Sequence, residues 1–117
     1  MAGSITVDSS LSSGHRVVTV TGEIDIATGP VLREQLLALV DDGDSDIVID
    51  LGQVPFLDSS GLGVLVAAYK RARSAGGQLR LAGCRPAVET IFQITALDRA
   101  FPIYPTVADA VRDAELS

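Results

Sequence analysis

Residues 15 to 21 alternate, with Val18 and Val20 on one side and Val17, Thr19 and Thr21 on the other, the period-two signature of a strand. Residues 5 to 8 read as a companion strand, with the Ser/Gly-rich SSLSSG between them as a turn. From about Pro30 the period lengthens to that of a helix. Leu32, Leu36, Leu39 and Val40 form one stripe, Pro30 suits the first turn, and Thr28 stands where a cap is needed. DDGDSD then breaks the helix. Residues 46 to 51, DIVIDL, are nearly continuous in apolar and β-branched types, as a strand buried on both faces requires.

GLGVLVAAYKRARSAGG predicts the next helix. Leu62, Leu65, Val66 and Tyr69 face inward, Lys70, Arg71 and Arg73 crowd the C-terminal end that favours cations, and Gly76-Gly77 supplies the stop. QLRLAG alternates cleanly, which predicts a strand with one wet face. Pro86 opens a third helix carrying Val88, Ile91 and Phe92. Residues 101 to 104 give a short last strand, and Thr106 with Asp109 resembles a capping box for a final helix through about Ala114.

The order is β-β-α-β-α-β-α-β-α. Crossovers between parallel strands run right-handed and tend to lay their helices on a common face. The expectation is a single α/β domain over residues 1–117, with its core over about 4–114. It has a mixed, mostly parallel sheet of about five strands, and about four helices packed mainly on one face.

Composition narrows the function more than the fold. Net charge is −6, which disfavours direct nucleic-acid binding, since that needs a basic footprint, and permits a basic protein partner. A single histidine, His15, argues against a His-built metal site, and a single cysteine, Cys84, cannot form an internal disulfide. No run reaches membrane-spanning length, and Met1-Ala2-Gly3-Ser4 lacks the basic-then-apolar pattern of a signal peptide. These features predict a cytoplasmic protein without membrane association.

The unusual stretch is PFLDSSGLGV, residues 55 to 64. Asp58, Ser59 and Ser60 stand at the opening of an apolar helix, followed by Gly61 and Gly63, each of which costs about 1 kcal/mol of helix propensity against Ala. One reading makes Ser59 the N-cap and Asp58 a helix-end charge. A serine-hydrolase reading fails because the order is S-S-G-L-G rather than G-x-S-x-G and the one histidine belongs to the first hairpin. A phosphate-binding loop fails because no lysine follows the glycines until Lys70. A kinase substrate fits: Ser59 on a loop between a central strand and a helix is exposed and rigidly placed. A phosphate there would add charge beside Asp58 and Asp25 without unfolding the helix end.

TGEIDIAT (21–28), VPFLDSSGLGVLVAAYKRA (54–72) and FQITALDRAFPIYPTVADAV (92–111), in this order and spacing, resemble the STAS-domain anti-sigma factor antagonists of bacteria. The resemblance covers nearly the whole chain and is carried by D-S-S-G-L-G together with the upstream G-E-I-D. It implies a regulatory binding protein with no catalysis and no cofactor of its own. The unphosphorylated form would capture an anti-sigma factor that is also a serine kinase with a GHKL-type ATP site, releasing a sigma factor for transcription. The kinase would phosphorylate the serine after the motif's aspartate, here Ser59, and a metal-dependent serine phosphatase would restore the protein. Ser59 matches the phosphoacceptor. Asp58, Ser60, Gly61 and Leu62 match the docking loop and helix start, and Glu23 and Asp25 match an acidic pair whose other reading is loop capping. Gly22 and Gly63 read as structural, and Val64 as either core or contact. One departure is Thr95-Ala96, where the family often has a small residue and then glycine. The protein is expected as a monomer or weak dimer; the alternatives are a non-switching STAS scaffold in a stress-signalling complex and a small nucleotide-binding protein.

Overall fold

The alternation of residues 15–21 becomes strand β2 (His15–Thr21), hairpinned to β1 (Thr6–Ser12), in a computed structural model that describes residues 4–116. Residues 1–3 and 117 lie outside the described residues, and with them most of the stretch read for a leader. The hairpin turn is shorter than SSLSSG suggests. Ser13 and Gly14 alone make it, with φ of 51° and 82°, the double positive φ of a type I′ turn. Ser9 to Ser12 are paired in β1, opposite Val18 to His15. Their polarity concealed the strand because β1 lies at the sheet edge and is largely exposed.

The other elements are helix α1 (Gly29–Asp41), β3 (Asp46–Gln53), α2 (Ser59–Ser74), β4 (Gln78–Ala82), α3 (Pro86–Ile94), β5 (Ile103–Tyr104) and α4 (Val107–Leu116). A single 3₁₀ turn, Leu97–Arg99, precedes β5. The five strands lie in sequence order; β1 is antiparallel to β2 and each later pair is parallel. Right-handed crossovers between neighbouring strands place α1, α2 and α3 on one face. There Leu32 and Leu36, Leu65 and Ala68, and Val88 and Phe92 close over Val18, Val20, Ile47, Ile49, Leu79 and Leu81.

The fourth helix changes the picture of β4. The strand does alternate, but its second face is not wet: α4 lies across it, packing Ala110 and Val111 over Val17, Val48 and Ala82. Arg80 is therefore only 4% exposed. Its guanidinium donates to Asp46 (2.7 Å) and to Asp113 of α4 (3.1 Å), and the Tyr104 hydroxyl donates to the same Asp113 carboxylate. Burial disfavours the Arg80 charge, but these acceptors more than compensate, so its pKa stays above the ordinary value. A polar residue in an alternating strand marked a second interface.

At the departure from the family pattern, Ala96 follows α3 with φ of 61°. The chain needs a left-handed residue there and supplies one with a Cβ, which is strained. At α4 one half of the expected box is seen: the Asp109 amide donates to the Thr106 hydroxyl (3.1 Å), while the Asp109 carboxylate accepts from Arg112 (3.2 Å), and the helix runs on to Leu116.

Candidate functional site

Two loops leave the C-terminal ends of the neighbouring strands β2 and β3, and the backbone ties them together beyond the sheet. The Gly22 amide donates to Gln53 (3.0 Å), Ile24 to Phe56 (3.1 Å), and Asp58 back to Ile24 (3.1 Å). Ile24 and Leu57, paired in this bridge, are fully buried and anchor both loops to the core. The acidic segment Glu23–Asp25 is thus held beside the start of α2 by hydrogen bonds rather than by proximity of two free loops. Gly22 permits the departure from β2: its φ is 115° and a Cβ there would stand 2.7 Å from the Ser4 carbonyl.

Within the first loop, Asp25 acts inward. Its Oδ1 accepts from the Ala27 and Thr28 amides, both at 2.9 Å. The Thr28 hydroxyl accepts from the Asp25 amide (2.9 Å) and donates to the Glu23 carbonyl (2.8 Å). The Thr28 amide holds the Asp25 carboxyl below its ordinary pKa against the opposing effect of burial, and the Ala27 amide and Thr28 hydroxyl add to the lowering. Thr28 occupies the N-cap position of α1 but its side chain does not cap the helix; it is buried and reciprocates with Asp25. Glu23, by contrast, is exposed, and no ion pair involves it among the described residues.

The start of α2 corrects the capping assignment. Asp58, with extended backbone, is the N-cap: its Oδ1 accepts from the Ser60 amide (2.9 Å) and the Gly61 amide (3.1 Å). Ser59 is the first residue of the helix, exposed, and its hydroxyl makes no hydrogen bond among the described residues. The helix needs nothing from that side chain. Ser60 is half-buried, and Leu62 is half-buried against the core.

The two glycines of the motif separate. A Cβ on Gly61 would stand 2.8 Å from the Ile24 carbonyl, 2.9 Å from Ile24 Cγ2 and 3.1 Å from Leu57 Cβ, so glycine is what lets the helix close onto the bridge. A Cβ on Gly63 would meet nothing within 4 Å. The structural reading of Gly63 is therefore wrong; it leaves bare backbone on the outer face of α2. Val64 is core, 7% exposed, and packs on Gly29 of α1.

Two residues that periodicity passed over belong to this surface. Ile26, in the acidic loop, is 78% exposed, and Phe56, whose carbonyl holds Ile24, is 47% exposed. Both are large apolar side chains left in solvent on the two bridged loops, at the end of the sheet where α2 begins. By residue type alone each reads as part of the same anchor, since Phe56 adjoins the buried Leu57 and Ile26 lies two positions from the buried Ile24. Cys84 takes no part. Burial first, and then Glu89 nearby, push its thiol up to about 11, so it is protonated at neutral pH. Among the described residues no group of His, Cys, Asp and Glu is placed to hold a metal, and no helix is long and apolar enough to cross a membrane.

Comparison with known proteins gives the same outline. The STAS domain family matches residues 7–110. The anti-sigma-B factor antagonist of Bacillus subtilis is 39% identical over 93 residues, covering 80% of this chain and 84% of its own. The anti-sigma F factor antagonist of Paenibacillus polymyxa is 30% identical over 104 residues, 88% of this chain and 89% of its own. The crystal structure of an anti-sigma factor antagonist from Mycobacterium paratuberculosis superposes with a TM-score of 0.85 at 39% identity, covering 93% of this chain and 92% of that one. These relatives are named as antagonists, not as enzymes.

Proposed function

The chain belongs to the STAS domain family, and from that premise we propose that it is an anti-sigma factor antagonist switched at Ser59. Unphosphorylated, it captures an anti-sigma factor with serine kinase activity and so frees a sigma factor. Phosphorylation of Ser59 ends the capture, and a serine phosphatase restores it. The observation that carries this reading is the division of labour between Asp58 and Ser59. Asp58 caps α2, so the Ser59 hydroxyl is exposed at a fixed position with no task in the fold. Such a hydroxyl can be modified without disturbing the domain. Asp58 and Ser60 flank it with polar groups, the loop that carries Glu23 is bridged to the same helix start, Ile26 and Phe56 offer apolar contact, and Gly63 lets a partner approach the helix backbone. The new charge of about −1.5 to −2 would sit in the middle of that face.

Phosphopeptide mass spectrometry on the protein purified from its own cells, with and without phosphatase, tests the modification. Pull-down with Ser59→Ala and Ser59→Asp tests the switch. Ser59→Ala retains the kinase and accepts no phosphate; Ser59→Asp releases it while melting within a degree or two of the parent, as surface substitutions do. Loss of capture by a folded Ser59→Ala, or a phosphate found only elsewhere, refutes the proposal.

A further inference from the structure

The face of α2 that begins at Ser59 does not end there. Positions 59, 63, 67, 70 and 74 fall within an arc of about 80° on a helix, so Ser59, Gly63, Ala67, Lys70 and Ser74 share one outward stripe. Its far half is one wall of a groove of about 270 Å³ between α1 and α2, lined by Arg33, Leu37, Ala67, Lys70, Arg71 and Ser74. The chain has nine Lys and Arg against a net charge of −6, yet three of the nine line this one groove and no Asp or Glu does. Arg71 is already paired with Asp41 at 2.6 Å, whereas Arg33 and Lys70 are exposed with no ion pair among the described residues. Helix-end electrostatics explains cations in the last turns of α2. It does not explain Arg33, which stands in the second turn of α1.

We propose that this groove seats an acidic segment of the same partner that docks at Ser59, with two or more carboxylates meeting Arg33 and Lys70 and a small apolar residue on Leu37 and Ala67. The proposal rests on the antagonist reading and extends its interface along α2. The protein then presents an acidic end, with Glu23, Asp25 and Asp58, and a basic groove on one continuous face. A partner surface of opposite polarity, basic then acidic, fits it in one direction only, which places Ser59 toward the kinase site. An overall acidic chain would otherwise repel an acidic segment, so the groove confines the attraction to one place.

The test is association of purified Arg33→Glu, Lys70→Glu and Ser59→Asp chains with the anti-sigma factor kinase recovered with this protein from its own cells, at low and moderate salt. Arg33 and Lys70 make no ion pair among the described residues, so Arg33→Glu should melt like the parent, and Lys70→Glu, near the C-terminus of α2, within about 1 kcal/mol of it. Association of each should slow roughly tenfold at low salt and depend less on salt than the parent's, because peripheral charges act chiefly on the encounter rate. If Ser59→Asp releases the kinase while both reversals associate like the parent, the groove proposal is wrong and the antagonist reading stands. If the parent itself captures no kinase, both fall. If the parent sediments as a dimer that Lys70→Glu dissociates, with unchanged kinase association, the groove holds a second copy and the proposal is overturned.

Discussion

Replacing Gly61 and Gly63 by alanine, one at a time, separates what the fold needs from what the surface needs. Each replacement gains helix propensity of about 1 kcal/mol, since the two glycines are two residues apart in one helix. At Gly63 that gain is unopposed, because a Cβ meets nothing within 4 Å. Gly63→Ala should therefore be more stable by about 1 kcal/mol, raising the melting temperature by roughly 4 °C for a domain of this size. At Gly61 the new methyl enters contacts of 2.8 Å and 2.9 Å with Ile24 and 3.1 Å with Leu57 Cβ, two of them with groups that cannot swing away. Overpacking of this kind costs about 1–3 kcal/mol, so the net change lies between about zero and a 2 kcal/mol loss. The gap between the two variants, about 1–3 kcal/mol, is the firmer quantity because the propensity gain cancels. Urea denaturation at constant pH measures it. The stabler variant should also be the poorer binder, since its methyl lies one turn beyond Ser59 on the proposed docking face. Equal behaviour of the two variants would refute the packing argument. A stabilised Gly63→Ala that binds as tightly as the parent would refute the docking role of the bare backbone.

Asp58→Ala should cost about 1 kcal/mol as the loss of an N-cap, and Ser59→Ala less than about half of that; the reverse order in urea melts would return the cap to Ser59. Ala96→Gly should stabilise by about 1 kcal/mol by relieving the left-handed strain, partly offset by the freedom glycine adds to the unfolded chain. An unchanged urea midpoint would mean that the strain is absorbed elsewhere. Asp25 has a folded pKa below its ordinary 3.8, so its contribution is fully present above that value and is lost as pH falls through the folded pKa. Asp25→Asn should flatten the acid limb of stability against pH, and a limb of unaltered slope would assign the acid loss to other carboxylates.

Most of the fold was legible because each element carried its own period. The stripes of α1 and α3 and the apolar run of β3 state both type and burial. What failed was information held in pairs of elements. β1 is polar along its exposed edge, so its length appears only in the register with β2. The second face of β4 is covered by a helix that arrives about thirty residues later, and nothing local to QLRLAG announces Arg80 as a buried group. The site shows the same split. Residue types located the DSSG loop and the acidic pair, but which of two adjacent residues caps the helix depends on where the backbone turns, and that is set by the Ile24–Leu57 bridge. The bridge joins residues more than thirty positions apart, so Ile26 and Phe56 could not be told from core by sequence alone.

The same cap bears on how the proposed switch would act. A phosphate at the first residue of a helix would ordinarily turn toward the free amides of the first turn. Here the Ser60 and Gly61 amides are taken by the Asp58 side chain and the Leu62 amide by its carbonyl (3.0 Å). With those donors occupied, the phosphate has little to draw it onto the helix, and the neighbouring carboxylate of Asp58 repels it. A phosphate there would therefore point outward, and the free protein would gain a charge without a new conformation. In water that repulsion is weak, but it grows about fourfold when the effective dielectric falls from bulk water to that near a protein surface. Docking itself causes that fall, by covering the face with a partner. The free phosphoprotein is then almost as stable as the parent, while its complex carries uncompensated like charges at its centre. If Ser59 is the switch proposed above, a cap whose Ser60, Gly61 and Leu62 amides are already taken would direct the energy of phosphorylation into the interface, where it would separate the partners, instead of into the fold.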